Sequence, residues 1–280
     1  YGRIWKVQHK EAKAPKKAET VTRGANPTQG SKALSLYEKF SRELAYGQPK
    51  YTDEQKKRIE AAHDGIMTEF ANSKDDWSKS ALIAAASEQR ASECVAWALA
   101  YPRDGAEAFV QAIVGAALKA TPSNPKPFAS LIYAAANADS KADSLKRVVL
   151  QSIAQSSEGT PEMDSYLIDS LKKLLSQPAV AAATLPLVTK LDKGGVLAAE
   201  VKAQLDKLSA TLSDNAAPVE ARVSAAKGLV AVGGASQEYV VRALARPEMP
   251  AALQSAIVAA LDESGGVEAI VPAFGTLKRE

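Results

Sequence analysis

A proline-to-glycine repeat in the C-terminal third of the chain constrains the fold more than any other sequence feature. Three segments have a proline near the start, then small and aliphatic residues, then a Gly-Gly pair: 177–195, 217–234 and 249–266. Their prolines are 40 and 32 residues apart, and 15 or 16 residues separate each proline from its first glycine. Proline is favoured in the first turn of a helix, and glycine just past its end. Each segment therefore predicts one helix of an internal repeat.

A second helix fits between successive repeat segments. Residues 196–212 and 236–246 both carry apolar side chains at helical spacing. Helix pairs stacked with a period of 32 to 40 residues are typical of HEAT-like α-solenoids. We therefore predict an all-α fold, a HEAT-like α-solenoid of antiparallel helix pairs over residues 31–280. Helices that pack against each other should be neighbours in the sequence. Four side chains should point inward: Leu185, Val188, Leu229 and Leu261.

Residues 31–176 have a similar pattern of small and aliphatic residues, but their repeat period is less regular. Apolar periodicity there predicts eight helices, near residues 31–46, 54–71, 76–87, 90–101, 105–119, 126–138, 142–157 and 162–176. Either Asp75 or Asp76 can cap the helix that begins at Trp77. Pro161 with Glu162 favours the first turn of the helix over 162–176, where a negative charge meets the positive end of the helix dipole.

The composition suits closely packed helices. Hydrophobic residues make up 46% of the chain but aromatic residues only 6%, so alanine, leucine, valine and isoleucine must form the interior. Small side chains let helix axes approach one another. No apolar run reaches the roughly 18 to 20 residues of a membrane span, and Pro186 interrupts the longest candidate. The sequence therefore predicts no membrane-spanning helix.

The N-terminus differs from the rest of the chain. The side chains of residues 1–10 would alternate between the two sides of an extended chain, and the central Ile-Trp-Lys-Val has strand-forming chemistry. These residues therefore predict a β-strand. An isolated strand gains too little to stay ordered, so we expect it to pair with strands outside the helical body. Residues 11–30 then predict an irregular linker, rich in lysine, alanine and proline.

The basic character of the chain belongs to this N-terminal arm. Seven basic and two acidic residues lie in residues 1–24, whereas the net charge of the whole chain is +3. A basic arm can bind nucleic acid or an anionic surface, although this composition is more typical of a solvated linker. The near-neutral helical body argues against a row of cations that would bind nucleic acid.

The sequence offers few residues for catalysis or metal binding. The two histidines, His9 and His63, have no metal-binding motif around them, and we interpret His63 as an ordinary, partly exposed helix residue. Cys94 lies on one helical stripe with Trp97 and Tyr101, which predicts a buried, inert thiol. No GxSxG, GxGxxG or GxxxxGK[ST] pattern is present. We therefore predict no catalytic, cofactor-binding or metal-binding residue in this segment.

The remaining charged and aromatic residues have structural interpretations. We interpret four lysines as the outer faces of amphipathic helices rather than as a phosphate site: Lys172, Lys173, Lys202 and Lys207. Trp5, Trp77 and Trp97 are interpreted as packing anchors. The single cysteine excludes an internal disulfide. The sequence begins without an initiator methionine or a signal peptide, so we expect an excerpt or a mature piece.

Particular segments resemble a known family. A GRIWKV strand precedes a helical region that contains residues 77–89, 142–154, 161–195 and 270–280. This order resembles the middle of the multidomain heme-binding dehydrogenase-like proteins of planctomycetes and verrucomicrobia. Those proteins have an N-terminal β-propeller, HEAT repeats and a C-terminal cytochrome c domain. The resemblance implies that residues 1–10 are the last propeller strand.

The resemblance implies a structural function. The solenoid would space or dock a dehydrogenase-like propeller and a cytochrome c domain in a larger periplasmic or otherwise extracytoplasmic redox protein. Heme c and a quinone would belong to attached domains, since this chain has no CxxCH motif. Two other functions remain open: a free-standing HEAT scaffold for protein partners, and a HEAT-like nucleic-acid-binding protein that uses the basic arm.

Overall fold

A computed structural model describes residues 27–45, 52–120, 126–156, 161–234, 236–246 and 249–263. Within these ranges the chain is all-α, as predicted, and contains no β-strand. The helices are α1 (Pro27–Leu44), α2 (Asp53–Asn72), α3 (Asp76–Ala100), α4 (Ala106–Ala120), α5 (Lys126–Asn137), α6 (Asp143–Gln155), α7 (Ser165–Leu175), α8 (Pro178–Leu191), α9 (Ala198–Ser213), α10 (Val219–Val232), α11 (Ser236–Leu244) and α12 (Ala251–Glu263). The predicted strand over 1–10 and most of the predicted linker lie outside the described residues.

Short-range hydrogen bonds determine where several helices begin. Thr52 and Gln55 form a reciprocal capping box at the start of α2. Asp75, the first of the two predicted caps, accepts a hydrogen bond from the Ser78 amide at 2.8 Å. This bond also lowers the pKa of the Asp75 carboxyl group. Helix α1 starts at Pro27, inside the predicted linker over 11–30, because proline needs no amide partner in a first turn.

At two helix ends a side chain bonded to the backbone explains why the boundary differs from the predicted one. Helix α7 begins at Ser165 rather than at residue 162, because the Asp164 side chain caps it by accepting from the Leu167 amide at 2.8 Å. Helix α8 ends at Leu191, before its Gly-Gly pair, where the Asp192 carboxylate accepts from two backbone amides. By contrast, α10 ends at Gly233 with φ 74°, as its glycine pair predicts.

Helix α3 contains a break at one residue. Arg90 has φ −153° and ψ 50°, whereas the segments on both sides are helical. This break separates the two helices that the sequence predicts over 76–87 and 90–101. The first segment contacts α1 through a hydrogen bond from the Tyr37 hydroxyl to Glu88, and the second contacts α2 through ring packing of His63 with Trp97.

The helices pack against near neighbours in sequence. One series of contacts joins α4, α6, α8, α10 and α12, and a second joins α3, α5, α7, α9 and α11. Contacts between consecutive helices, such as α7 with α8 and α9 with α10, connect the two series. Each helix therefore lies between the helices that precede and follow it by one or two positions.

The buried apolar residues form two clusters. The larger extends from Phe40 to Leu197, and the smaller from Leu212 to Leu261. Leu205 and Leu208 of α9 pack against both clusters and connect them. All four side chains predicted to turn inward are at most 1% exposed: Leu185, Val188, Leu229 and Leu261. No helix within the described ranges is long and apolar enough to cross a membrane.

Candidate functional surface

A buried cation links α6 to the start of α8. Lys146 of α6 is 1% exposed, and its Nζ atom is 2.9 Å from Asp143 Oδ1 and 2.9 Å from Gln177 Oε1. Gln177 is the residue before α8, so this lysine joins two helices of one contact series. A buried ammonium group needs such partners, because desolvation of an unpaired charge is costly. We therefore assign Lys146 to packing rather than to catalysis.

Other cations donate to helix C-termini. Arg90 Nε donates to the Leu44 carbonyl at the end of α1, at 2.6 Å. Arg222 Nε donates to the Leu212 carbonyl near the end of α9, at 3.0 Å, and Arg222 is only 3% exposed. The last carbonyls of a helix have no partner within it, and they carry the negative end of its dipole. These cations therefore stabilise helix ends and the contacts between helices.

His63 is buried, so its predicted partial exposure is wrong. The residue is 4% exposed, and its ring stacks on Trp97 with centroids 5.7 Å apart. It lies on the inner face of α2 with Ile59 and Ile66, which are four and three residues away. Burial lowers the pKa of the imidazole. The Nε2 atom has no hydrogen-bond partner among the described residues.

The predicted stripe on the second half of α3 runs from the core to the surface. Cys94 is 1% exposed, and burial raises the pKa of its thiol to about 12. The thiol is therefore buried, as the sequence predicts, and its raised pKa disfavours the thiolate at neutral pH. Trp97 packs against Tyr101 with ring centroids 4.4 Å apart, and Tyr101 itself is 52% exposed.

Trp77 is not the packing anchor that the sequence predicts. It is 65% exposed, because it lies in the first turn of α3, where the adjacent Ser78 occupies the buried position. The four lysines interpreted as outer helix faces are exposed, which confirms that interpretation: Lys172, Lys173, Lys202 and Lys207. Trp5 and His9 lie outside the described residues.

Three exposed tyrosines lie in or directly after helices α3, α5 and α7. Tyr101 follows α3, Tyr133 lies in α5 and Tyr166 in α7, with exposures of 52%, 50% and 72%. They are 32 and 33 residues apart in the sequence, which is close to the predicted repeat period. The rings of Tyr133 and Tyr166 have centroids 6.1 Å apart.

Two lysines of α7 have partners on neighbouring helices. Among the side chains of α5 that the structure describes, Ser130, Tyr133 and Asn137 are exposed. The Nζ atom of Lys173 donates to Asn137 Oδ1 at 2.8 Å. Lys172 forms an ion pair of 3.3 Å with Glu200. Local partners therefore hold the cations of α7 that are nearest to α5 and α9.

A shallow cavity lies where α2 meets the start of α4. It has a volume of about 170 Å³, and Met67, Thr68, Asn72 and Phe109 contribute to its lining. Arg103 at its edge bonds to Thr68 and to Asp64 of α2, so this cation is already paired. The described residues contain no group of three histidine, cysteine or carboxylate side chains placed to hold a metal ion.

Sequence reasoning did not find the contact between Tyr133 and Tyr166 or the buried cations. These tyrosines are 33 residues apart, close to the repeat period, but Tyr133 lies inside α5 and Tyr166 in the first turn of α7. No such signal marks Arg222 or Lys146, since many exposed lysines and arginines have the same local context. Comparison with known proteins gave no match: no family model, curated protein or solved structure corresponds to this chain.

Proposed function

We propose that this chain is a HEAT-like α-solenoid that spaces or docks two redox domains of a larger periplasmic protein. The domains would be a dehydrogenase-like β-propeller and a cytochrome c domain, with heme c and a quinone held outside this segment. The contact pattern of the helices is the observation that carries the structural part of the proposal. The strand, linker and helix order of the sequence supports the redox part.

The contact pattern supports a solenoid for a physical reason. In a compact bundle, helices far apart in sequence pack around one shared core, whereas in a solenoid each repeat contacts only its neighbours. Here α4 contacts α6, α6 contacts α8, and α8 contacts α10. Stacked repeats keep their ends at a fixed separation and present an extended surface. Both properties suit a spacer between redox centres.

Small-angle X-ray scattering tests the solenoid geometry. A compact domain with the 237 residues of the range 27–263 has a radius of gyration of about 18 Å. We expect a clearly larger value for the helical body, measured on residues 27–263 with the full chain as a reference. A radius near the compact value would contradict the solenoid.

The redox role makes two further predictions. The coding sequence around this segment should encode a propeller before Tyr1 and a CxxCH motif after Glu280. In that full-length protein, deleting the pair α8 and α9 should slow substrate-driven heme reduction but leave oxidation by a soluble artificial acceptor unchanged. Substitution of exposed Lys202 by alanine is the matched control, since it alters neither helix number nor spacing.

Two outcomes would reject the redox role. The first is a coding sequence that lacks both flanking domains. The second is heme reduction at an unchanged rate in a deletion variant whose circular dichroism shows that the remaining helices are folded. A free-standing scaffold would then be the better interpretation of the same helices.

A further inference from the structure

We infer that protonation of buried His63 releases helix α1 from α3, so that the N-terminal end of the helical body opens in acid. The inference concerns four side chains that connect α2 to α3 and α3 to the end of α1: His63, Trp97, Glu93 and Arg90. It goes beyond the proposed spacing function, because it depends on the described helices and not on flanking domains.

The connected contacts begin at His63 of α2. Its ring stacks on Trp97 of α3 with centroids 5.7 Å apart, and the residue is 4% exposed. Its Nε2 atom has no hydrogen-bond partner among the described residues. Glu93 lies four residues before Trp97, and side chains with this spacing share one face of a helix. Glu93 is therefore on the side of α3 that meets His63.

The contacts continue through Arg90 to the C-terminus of α1. Arg90 Nη1 donates to Glu93 Oε1 at 2.6 Å, and Arg90 Nε donates to the Leu44 carbonyl at 2.6 Å. The Arg90 side chain is only 11% exposed. Leu44 is the last residue of α1. Arg90 therefore holds the end of α1 on α3 while Glu93 compensates its charge.

A proton on His63 changes this balance of charges. The charges that act most strongly on the imidazole are Glu93 and Arg90 of α3 and Glu60 of its own helix. None of these three comes from α1 or α4, which also pack on α2. A buried imidazolium needs an anion, and the adjacent Glu93 is already bonded to Arg90. Two cations then compete for one carboxylate, which weakens the contact between Arg90 and Leu44.

The opening belongs to acidic solution and to one end of the described chain. Burial lowers the pKa of His63 from its ordinary 6.5, so the imidazole is neutral at pH 7.5 and α1 stays in place. Protonation removes this stabilisation as the pH falls below 6.5 toward the lowered value. Helix α1 packs mainly on α2 and α3. Its release therefore leaves the contacts among α4 to α12 intact.

Hydrogen exchange of the full chain at pH 7.5 and pH 5, corrected for the intrinsic effect of pH on amide exchange, tests the inference. We expect the protection of α1 to fall about tenfold or more at pH 5, whereas α6 to α8 keep theirs. Unchanged protection of α1 would overturn the inference, and so would an equal loss in every helix.

Two substitutions separate the proton from the contact that it weakens. His63→Phe keeps a ring against Trp97 but does not titrate, so α1 should be equally protected at both pH values. Arg90→Gln removes the cation that holds Leu44, so α1 should be poorly protected at both. An acid-induced loss that persists in His63→Phe rejects the role of the imidazole. Normal protection of α1 at pH 7.5 in Arg90→Gln rejects the role of Arg90.

A charge variant tests the inference even if His63→Phe does not fold. Glu60→Gln removes a charge that favours the protonated imidazole, so the opening should move to lower pH by about half a unit. Glu54→Gln is the matched control, because Glu54 lies on the same helix, nine residues from His63, and pairs with Arg58. Its opening should occur at the unaltered pH. Equal shifts in the two variants would contradict control by His63.

Discussion

Gly228 shows at the scale of one residue how closely two helices of this fold approach. A Cβ atom at this position of α10 would lie 3.0 Å from the Cβ of Ala182 in α8 and 3.2 Å from Leu208 Cδ1. Ala182 cannot move without its backbone, so α8 and α10 would have to separate. Gly115 in α4 lacks this constraint, because an added Cβ there meets nothing within 4 Å.

Alanine substitutions at the two glycines should have opposite effects. Gly228→Ala should lower the free energy of unfolding by about 1 kcal/mol, since overpacking exceeds the gain in helix propensity. Gly115→Ala should raise it by about 0.5 to 1 kcal/mol, because only the propensity changes. Urea denaturation followed by circular dichroism measures both. A stabilising Gly228→Ala would show that α8 and α10 are not in close contact.

His63 should make stability depend on pH. Its pKa is lowered from 6.5, mainly by burial, while Glu93 and Glu60 favour the protonated form and Arg90 opposes it. Because the unfolded chain binds this proton more readily, the free energy of unfolding should fall as the pH decreases through 6.5 toward the lower folded-state pKa. Above that window the full contribution is present.

The variant His63→Phe isolates this contribution. Phenylalanine retains a ring to pack on Trp97 but does not titrate. For the unaltered chain, the urea concentration at the unfolding midpoint should decrease from pH 7.5 to 6 and again to 5. For the variant, this midpoint should change less over the same pH range. Identical pH profiles would mean that the buried imidazole does not control acid stability in this range.

The residue-scale outcomes show what periodicity can predict. Cys94 and Leu229 were placed in the core by apolar spacing alone, and both are buried. The same reasoning failed for His63, since a polar residue on an apolar face can be buried when a ring such as Trp97 covers it. It failed for Trp77 because a first-turn residue can extend past the packed part of its helix.

At the scale of the element, the ends of the helices depend on partners from elsewhere in the chain. Local caps such as Asp75 lie within three residues of their amide and can be found in the sequence. The C-terminal partners cannot, since Arg90 is 46 residues from Leu44 and Arg246 is 33 from Ser213. Helix existence was therefore predictable, whereas the contacts that hold one helix against the next were not.

Arg222→Ala tests the energetic value of such a contact. Loss of this buried donor to the Leu212 carbonyl should lower the free energy of unfolding by about 2 to 3 kcal/mol, because the variant loses both a hydrogen bond from a charged group and its packing contacts. Arg242→Ala is the matched control from the next helix, because Arg242 is exposed and pairs with exposed Glu238. The free energy of unfolding, measured by thermal denaturation, should change by less than about 0.5 kcal/mol for this control. Equal effects would refute a capping role for Arg222.

At the scale of the whole molecule, Leu205 and Leu208 of α9 pack against both apolar clusters, and Val232 of α10 packs against the larger one. In the proposed solenoid, stability would be close to a sum of local terms and nearest-neighbour interfaces. A substitution that destabilises one cluster should therefore lower the stability mainly of the helices in that cluster. In a fold with one shared core, the same substitution would lower the stability of every helix.

Hydrogen exchange followed by mass spectrometry measures this locality. Leu229→Ala, in the smaller cluster, should speed exchange in α10 to α12 and leave α4 to α6 close to normal. Leu131→Ala, in the larger cluster, should have the reverse pattern, although both residues are 0% exposed. Each substitution should cost about 2 to 5 kcal/mol locally. Uniform acceleration by either variant would indicate one cooperative unit.

The break at Arg90 has a consequence for how the chain tolerates changes in length. At this corner of α3, a single non-helical residue connects two helical segments. The corner therefore contains no loop that could accommodate an added amino acid. One inserted residue in the segment after it would rotate the following side chains by about 100° and carry Trp97 away from His63. The longer connection over 192–197 can accept the same insertion without that rotation. Deletions and insertions should therefore be excluded from the corner and accumulate in the longer connections.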